Sequence, residues 1–372
     1  MAWIYRQPVE IIFKAGGIHN IGKIIEEKRW QSGVLIHSSF FAGSKVVKDI
    51  LAVGDGLING EFYGIRPNPT VQDVNNCAAV LRKTKADFAI ALGGGSVLDC
   101  AKAACGIALT DDRIEDYHTG GKTLDHDVLP LVAVPTTAGT GSEVTSVAVL
   151  TDPAKGIKAP LGHPKLYPAI ALIDPELTYT VPPQVTASTG LDVLAHALEG
   201  FWSIHHQPIC DALALRAAGL AFEYLERAFH RGADEAARAK MCEASVIAGL
   251  AFALPKTAAA HACSFPLTNI YNIPHGEACA FTLDLLCEIN GEADGGRLHR
   301  FAKKLGFGDA TAMGERIREM KKTMGMKVTL ADAAIDIRDL DDLAKKCQHP
   351  NLLNNPVPMG SKEIKEMFLR LA

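Results

Sequence analysis

Residues of metal-ligand type occur in two segments of the second half of the sequence. Asp192 and His196 are four residues apart in STGLDVLAHALEGFW, a spacing that places both side chains on one face of a helix. His261 and His275 follow in AHACSFPLTNIYNIPHG, where a Pro-His-Gly turn would fix the direction of the second imidazole. One carboxylate and three imidazoles would suit Fe²⁺ or Zn²⁺, and this donor set does not choose between them. Taken alone, the Asp192–His196 spacing also fits an ordinary polar pair on an amphipathic helix, and no sequence rule brings the two segments together.

A glycine-rich turn in the first half suggests a site for an anion. The segment DFAIALGGGSVLDCAKAA places Gly93, Gly94 and Gly95 after an apolar run, with Ser96 at the expected start of a helix. Glycine lets a backbone approach a ligand closely, and the free N–H groups of a helix start favour an anion such as pyrophosphate. The spacing is not G-x-G-x-x-G, so a tight structural turn is the alternative.

A second loop, in VPTTAGTGSEVT, also follows an apolar run. It consists of small and hydroxyl-bearing residues, namely Thr136, Thr137, Gly139, Thr140, Gly141 and Ser142. Hydroxyl groups can donate to phosphates or a ribose without steric bulk, although a polar surface loop would have a similar composition. Both loops follow predicted parallel strands, and open α/β sheets bind ligands at the carboxyl ends of their strands. We therefore prefer a dinucleotide that contacts both loops.

The elements that must position these loops alternate between strand-like and helix-like segments. Strands are predicted at residues 9–13, 33–37, 87–92, 129–135 and 169–174, and helical periodicity occurs at residues 19–28, 45–53 and 71–84. This alternation predicts a parallel sheet with helices on both faces. From Gly190 onward, alanine- and leucine-rich helical runs dominate. A boundary at Pro182-Pro183 then predicts an α/β dinucleotide-binding domain over residues 1–182 and an all-helical metal-binding domain over residues 183–372.

Composition narrows the classes of protein and partner. The 372 residues are 48% hydrophobic, carry a net charge of −4 and contain no basic block, so we expect no nucleic-acid partner. The nine cysteines form no C-x-x-C pair and suggest buried thiols in a reducing compartment. The first residues do not resemble a signal peptide, and the apolar run that starts at Ala244 is too short to span a bilayer. We expect a soluble, cytoplasmic homodimer with no membrane partner.

Four motifs together resemble one family. GGGSVLDCAK, PTTAGTGSEVT, GLDVLAHALEG and IPHGEA occur in the order and at the spacing of the iron-containing (group III) alcohol dehydrogenases, over essentially the full chain. The resemblance implies the architecture that this family shares with dehydroquinate synthase, with a metal in the cleft between the two domains. It implies a metal-ligand role for Asp192, His196, His261 and His275. We expect Gly94 of the glycine turn to contact the cofactor. The resemblance implies further cofactor contacts for Asn68, Gly95, Ser96, Asp99, Thr136, Thr137, Thr140 and Lys158.

The sequence departs from the family pattern at two positions. Many members have a second histidine near the nicotinamide, four residues after the third ligand, where this chain has Phe265. We expect Phe265 to line the substrate pocket, where it cannot relay a proton; the alternative is an ordinary core residue. Many members also carry an aspartate on the adenosine ribose at the end of the second strand, where this chain has Ser38 and Ser39. With Ser39 facing that ribose, NADP(H) is permitted as well as NAD(H), because a repulsive carboxylate is missing.

The predicted function is reduction of a small aldehyde to a primary alcohol by an NAD(P)- and metal-dependent alcohol dehydrogenase. The segments HACSFPLTNIYNIPHGEACAFTL and NNPVPM resemble the branch of phosphonoacetaldehyde reductases, and related enzymes take sulfoacetaldehyde. The metal would polarise the carbonyl and the nicotinamide would supply the hydride, while the proton donor stays open between ribose, water and another side chain.

Two alternatives belong to other functional classes. One is a lyase of the dehydroquinate synthase kind, whose large polyanionic substrate needs several cations near the metal. The predicted ligands have almost none nearby in sequence, Lys256 being the nearest. The other alternative is a non-catalytic NAD(P) sensor. The presence of all four predicted metal ligands argues against it. An aldehyde panel assayed with NADH and NADPH would separate all three.

Overall fold

The computed structural model describes residues 3–372, so residues 1 and 2 of the predicted first domain lie outside it. The described residues form two compact units. We call them the sheet unit (Arg6–Thr137 and Ser142–Thr178) and the helical unit (residues 3–5, Ala138–Gly141 and Tyr179–Ala372). The domain division between residues 182 and 183 stays a prediction.

The sheet unit contains the predicted parallel sheet. Its strands are β1 (Glu10–Phe13), β2 (Gly33–His37), β3 (Ile58–Tyr63), β4 (Phe88–Gly93), β5 (Leu131–Pro135) and β8 (Ile170–Ile173). They lie in the order β1-β8-β5-β4-β2-β3, and every neighbouring pair is parallel. The successive strands β3 and β4 lie on opposite sides of β2, so the strand order reverses between β2 and β4. The carboxyl ends of β4 and its neighbour β5 carry the two loops singled out above.

Helices cover both faces of this sheet, as predicted. They are α1 (Ile21–Lys28), α2 (Lys45–Val53), α3 (Val71–Thr84), α4 (Gly95–Ile107) and the short α5 (Glu115–His118). Successive strand residues point to opposite faces. Val34 and Ile36 accordingly join the core beneath α3 and α4, whereas Leu35 joins the core beneath α1 and α2. Burial on both faces explains why the central strands are almost uniformly apolar.

Three strands were not predicted from the sequence. Edge strand β3 has the polar composition INGEFY and only partly buried positions, so its hydropathy resembles that of a loop. The other two form a separate antiparallel hairpin, β6 (Val147–Asp152) with β7 (Ile157–Gly162). The predicted strands are all present: β2 has the predicted ends, and the ends of the others lie within two residues of the predicted ones.

The helical unit confirms the prediction of a helical second half. After the first helix, α6 (Pro183–Trp202), come α7 (Pro208–His230), α8 (Glu235–Phe252), α9 (Ala259–Tyr271), α10 (His275–Phe281), α11 (Leu283–Ile289), α12 (Ala293–Lys304), α13 (Ala310–Thr323), α14 (Leu340–Lys346) and α15 (Ser361–Leu369). Helix α6 is buried along nearly its whole length and packs against α7, α8 and α10. Between residues 3 and 372, none of the helices combines the length and apolar character needed to cross a membrane.

Candidate metal centre and cofactor loops

Helix α6 supplies the first two predicted ligands from one face. The helix starts with Pro183 at its first position, where a missing backbone N–H costs nothing. Asp192 and His196 are one turn apart and both buried, and Asp192 Oδ2 lies 3.9 Å from His196 Nδ1. The ring of Phe252 stacks on the His196 imidazole at 4.0 Å between centroids. This packing restricts the rotation of His196.

The two later histidines reach α6 from neighbouring helices. His261 lies in the first turn of α9, and His275 is the first residue of α10, directly after Pro274. Gly276 allows the close approach of α10, because a Cβ atom there would lie 2.0 Å from the backbone oxygen of Ser188 on α6. Close backbone packing at the Pro-His-Gly turn thus fixes the position of His275.

The side chains of all four predicted ligands converge within the helical unit. His261 Nε2 lies 3.1 Å from His196 Nε2 and 3.6 Å from Asp192 Oδ1. Two imidazole nitrogens bound to one tetrahedral metal would be about 3.4 Å apart, close to the separation seen. The His275 ring lies 5.5 Å from the His261 ring, between centroids. Ligand atoms of Asp192, His261, His275 and one further residue, Cys279, lie within 4.8 Å of one another.

Hydrogen bonds on the far side of each imidazole determine which nitrogen is available. His196 Nδ1 lies 3.3 Å from the backbone oxygen of Gly139, which can only accept, so Nδ1 carries the proton and Nε2 points inward. His261 Nδ1 contacts the carboxylate of Glu199 in the same manner. Both inward nitrogens are therefore Nε2, the usual outcome when an outer partner orients a metal-binding histidine.

The electrostatics of this cluster fit a divalent cation. Asp192 Oδ1 is buried and has no hydrogen-bond partner among the described residues, and burial raises the pKa of Asp192 to about 7. Burial, with the nearby His261 and His275, lowers the pKa of His196. Burial alone would lower the pKa of His261, but Cys279 and Glu199 raise it. A cation would satisfy the unpaired oxygen and displace the proton that the two Nε2 atoms share without metal.

Sequence reasoning missed Glu199 and Cys279. Glu199 follows His196 by three residues and is fully buried, on the same face of α6. Its spacing from Asp192 and His196 was the available signal, because all three share one helical stripe. Cys279 follows His275 by four residues on α10, and its Sγ lies 3.8 Å from His275 Nε2. A lone cysteine in an apolar helix carries no comparable signal.

Phe265 lies one turn after His261 on α9 and is half-buried. Its ring packs against the imidazole of His349 at 4.6 Å between centroids, and the two rings are tilted by 47°. The backbone N–H of Asn351 donates to His349 Nδ1, so the ring proton of neutral His349 is on Nε2. The placement of Phe265 beside the substrate stays a prediction.

In the sheet unit, the glycine-rich turn meets the first residues of the second loop, Thr136 and Thr137, at the carboxyl ends of β4 and β5. Gly94 precedes α4 in an extended conformation, and a Cβ atom there would lie 3.3 Å from Thr137 Oγ1. Thr136 is tied to the same turn, since its N–H donates to the backbone oxygen of Gly93. Helix α4 begins at Gly95, so its open N–H groups point away from the helix at this edge of the sheet.

Three other predicted cofactor residues are linked to one another beside α4. The backbone N–H of Asn68 donates to Ser96 Oγ at 3.3 Å, and Lys158 Nζ donates to Asn68 Oδ1 at 2.9 Å. Asn68 adopts a left-handed conformation with φ 57° and is exposed. The structure thus brings Asn68, Ser96 and Lys158 together, which the sequence spacing could not show.

The remaining predicted cofactor residues have other surroundings. The carboxylate of Asp99 accepts hydrogen bonds from Ser142 Oγ at 2.6 Å and the Val149 N–H at 2.9 Å, and it pairs with Lys102 at 3.1 Å. The Ser142 and Val149 contacts tie the end of the second loop and strand β6 to α4. Thr140 belongs to the segment that clusters with the helical unit. Ser39 is exposed just beyond β2.

Comparison with known proteins identifies the family. One family model, iron-containing alcohol dehydrogenase, matches residues 8–175, and another, the C-terminal part of the Fe-containing alcohol dehydrogenase family, matches residues 186–372. A crystal structure of sulfoacetaldehyde reductase from Bifidobacterium kashiwanohense in complex with NAD⁺ is 49% identical, with a TM-score of 0.97 over 100% of this chain and 99% of that one.

Sequence relatives agree. A 1-propanol dehydrogenase of Salmonella typhimurium is 35% identical over 326 residues, which cover 83% of this chain and 84% of the relative. An NAD-dependent methanol dehydrogenase of Bacillus methanolicus is 31% identical over 350 residues, or 91% of each chain. The findings confirm the resemblance and support neither the lyase nor the sensor alternative. The chain belongs to the iron-containing alcohol dehydrogenase family and is an oxidoreductase.

Proposed function

We propose that this oxidoreductase reduces a small aldehyde that carries a sulfonate or phosphonate group, using NAD(H) and a divalent metal. The observation that carries the proposal is the buried cluster in which Asp192 Oδ1 has no hydrogen-bond partner among residues 3–372 while two histidine Nε2 atoms point at the same space. The anionic substrate is supported by the 49% identity to a sulfoacetaldehyde reductase, whose structure also contains NAD⁺.

The proposed ligands are Asp192, His196, His261 and His275, and the family description favours Fe²⁺ over the alternative Zn²⁺. A cation held there would supply Lewis-acid polarisation of the substrate carbonyl. The chain's own part is to fix the ligand geometry, since Phe252 stacks on His196 and the Pro274–Gly276 turn places His275. Burial of Asp192, His196 and His261 also excludes water, which strengthens the electrostatic interaction with a carbonyl oxygen.

The proposed cofactor site lies at the carboxyl ends of β4 and β5. The open N–H groups at the start of α4 would bind the pyrophosphate. The hydroxyl groups of Ser96, Thr136 and Thr137 would add donors, while Asn68 and Lys158 stand beside Ser96. Asp99 would act by holding the second loop, and Thr140 and Ser39 would contact other parts of the dinucleotide. With a domain boundary at residues 182 and 183, the cofactor residues would belong to the first domain and the metal ligands to the second.

An aldehyde panel tests the substrate. The enzyme, loaded anaerobically with Fe²⁺ or Zn²⁺, would be assayed with sulfoacetaldehyde, phosphonoacetaldehyde and uncharged propionaldehyde, each with NADH and NADPH. Hydrogen bonds to a charged group contribute about 1.5–3 kcal/mol, so kcat/KM for an anionic aldehyde should exceed that for propionaldehyde by about 10–100-fold. A preference for propionaldehyde would contradict the substrate class, and absence of turnover with the whole panel would revive the sensor alternative.

A histidine at position 265 should change proton transfer without changing metal or NADH affinity. Phe265 follows His261 by one helical turn, so a titratable imidazole there would face the same side of α9. We expect Phe265→His to alter the pH dependence of kcat, measured between pH 6 and pH 10, and the ranking of the aldehydes. Phe265→Leu is the matched control, because it removes the ring but adds no titratable group; it should alter only the ranking. If both variants lose thermal stability with ranking and pH profile intact, Phe265 is a core residue.

A further inference from the structure

Glu199 connects the start of α9 to the candidate metal centre. Its carboxylate is fully buried between α6 and α9. Oε1 accepts from the backbone N–H groups of Ala258 at 3.0 Å, Ala260 at 2.7 Å and His261 at 3.3 Å. The residue before α9 is an alanine, which has no side chain to cap the helix. Glu199 therefore satisfies N–H groups that α9 cannot satisfy itself, and its negative charge is favourable at a helix N-terminus.

The second carboxylate oxygen has a different partner. Glu199 Oε2 contacts His261 Nδ1. With Oε1 occupied by three N–H donors, the carboxylate has one orientation, so Oε2 always faces the imidazole. An ionised carboxylate can only accept, and Nδ1 must therefore keep its proton. Nε2 is then the nitrogen that can give a lone pair to a metal, and it already faces His196 and Asp192.

We propose that Glu199 is a positioning residue that locks the tautomer and the direction of His261 and thereby sets the metal affinity of the enzyme. The inference rests on the metal site of the proposed function. It also bears on the charge of the centre, because a bound divalent cation would be balanced by the carboxylates of Asp192 and Glu199. Without such a balance, two buried carboxylates on one face of α6 would be costly.

The Glu199→Gln variant tests the lock because the surroundings determine which way the amide must turn. The three backbone donors require the amide oxygen at the position of Oε1, so the amide NH₂ has to face His261 Nδ1. An NH₂ group donates, and His261 then keeps its proton on Nε2, where it blocks metal binding. The cap on α9 survives, so the fold should survive too.

The measurement is the Zn²⁺ affinity of the full chain, determined by competition with a chelator, together with the melting temperature of the metal-free protein. Loss of an outer partner of a ligating histidine lowers metal affinity by about 10–100-fold, and we expect this loss in Glu199→Gln. Glu277→Gln is the matched control. Glu277 is a buried carboxylate on α10 that accepts a hydrogen bond from the backbone N–H of Lys327 at 2.9 Å. Its replacement by glutamine removes the same charge as Glu199→Gln does. Its replacement should change Zn²⁺ affinity by less than about threefold.

Each outcome has one reading. Affinity within about threefold of the wild type in Glu199→Gln would overturn the tautomer lock. Equal losses in both variants would overturn it as well, because charge alone would then explain the effect. If the wild type and the Asp192→Asn variant bind Zn²⁺ with the same affinity, the metal site of the proposed function has failed, independently of Glu199. Should Glu199→Gln not fold, ¹H–¹⁵N histidine spectra of the Zn²⁺-loaded wild type decide: a proton on His261 Nδ1 is expected, and one on Nε2 overturns the proposal.

Discussion

Replacement of Asp192 by asparagine should remove most of the bound metal while making the metal-free protein more stable. The change keeps the shape of the side chain but removes the charge that a divalent cation needs. Metal affinity should fall by more than about 100-fold, since outer-partner losses already cost about 10–100-fold. Turnover should fall by about 1,000-fold, because Lewis-acid polarisation is worth several kcal/mol. Metal content after gel filtration and steady-state kinetics would measure both.

The stability that the metal-free Asp192→Asn protein gains over the metal-free wild type depends on pH. Burial raises the pKa of Asp192 from its usual 3.8 to about 7. Between these two values the unfolded chain releases the proton and the folded chain keeps it, so this carboxyl destabilises the fold increasingly up to pH 7 and fully above it. Asparagine lacks this cost and can donate to the inward histidine nitrogens. We expect the variant to gain about 1–3 kcal/mol in the free energy of unfolding at pH 8 and nothing near pH 4.

Asp284→Asn is the control for this prediction. Asp284 is also a buried carboxylate of the helical unit, but its Oδ1 pairs with Lys321 Nζ at 2.6 Å. Its replacement leaves a buried ammonium without its partner charge and should destabilise the protein at pH 8 while metal binding persists. Retained metal in Asp192→Asn, or a loss of stability as in Asp284→Asn, would show that Asp192 is not a ligand.

Valine at position 94 should abolish tight binding of NAD(H) while leaving the metal in place. A Cβ atom on Gly94 would already lie 3.3 Å from Thr137 Oγ1, so the branched side chain of valine would fill the space between the two loops. It would also cover the open N–H groups at the start of α4, which begins at the next residue. Losing two hydrogen bonds to a charged pyrophosphate would weaken NADH binding by more than about 100-fold. Fluorescence titration with NADH gives the dissociation constant.

Gly162→Val is the matched control for Gly94→Val. Gly162 is the last residue of β7 in the same unit and is exposed. A Cβ atom at this position would make only an ordinary contact of 3.6 Å with the side chain of Val147. The control should bind NADH as the wild type does. Both variants should keep full metal content, because every proposed ligand lies in the helical unit. If Gly94→Val binds NADH with wild-type affinity, the glycine turn does not bind the cofactor and has a structural role only.

The sequence by itself determined the fold class, the family and the helical face that carries Asp192 and His196. Near-continuous apolar strands alternating with amphipathic helices predict a parallel sheet covered on both faces, and the structure has it. Helical periodicity places residues four apart on one face whatever the rest of the chain does. Weak local patterns failed: polar edge strand β3 and hairpin β6–β7 were missed, because partly exposed strands carry little hydropathy signal.

Only the tertiary structure decided which distant groups meet. Sequence spacing could not show that α9 brings His261 Nε2 to within 3.1 Å of His196 Nε2, or that Asn68 lies against Ser96. Nor could it show that the Asp99 carboxylate binds Ser142 of the second loop through one oxygen and Val149 of β6 through the other, or that Glu199 turns inward to α9 rather than outward to water. Periodicity records which face of an element is buried, whereas the identity of the group on the other side depends on packing between segments far apart in the chain.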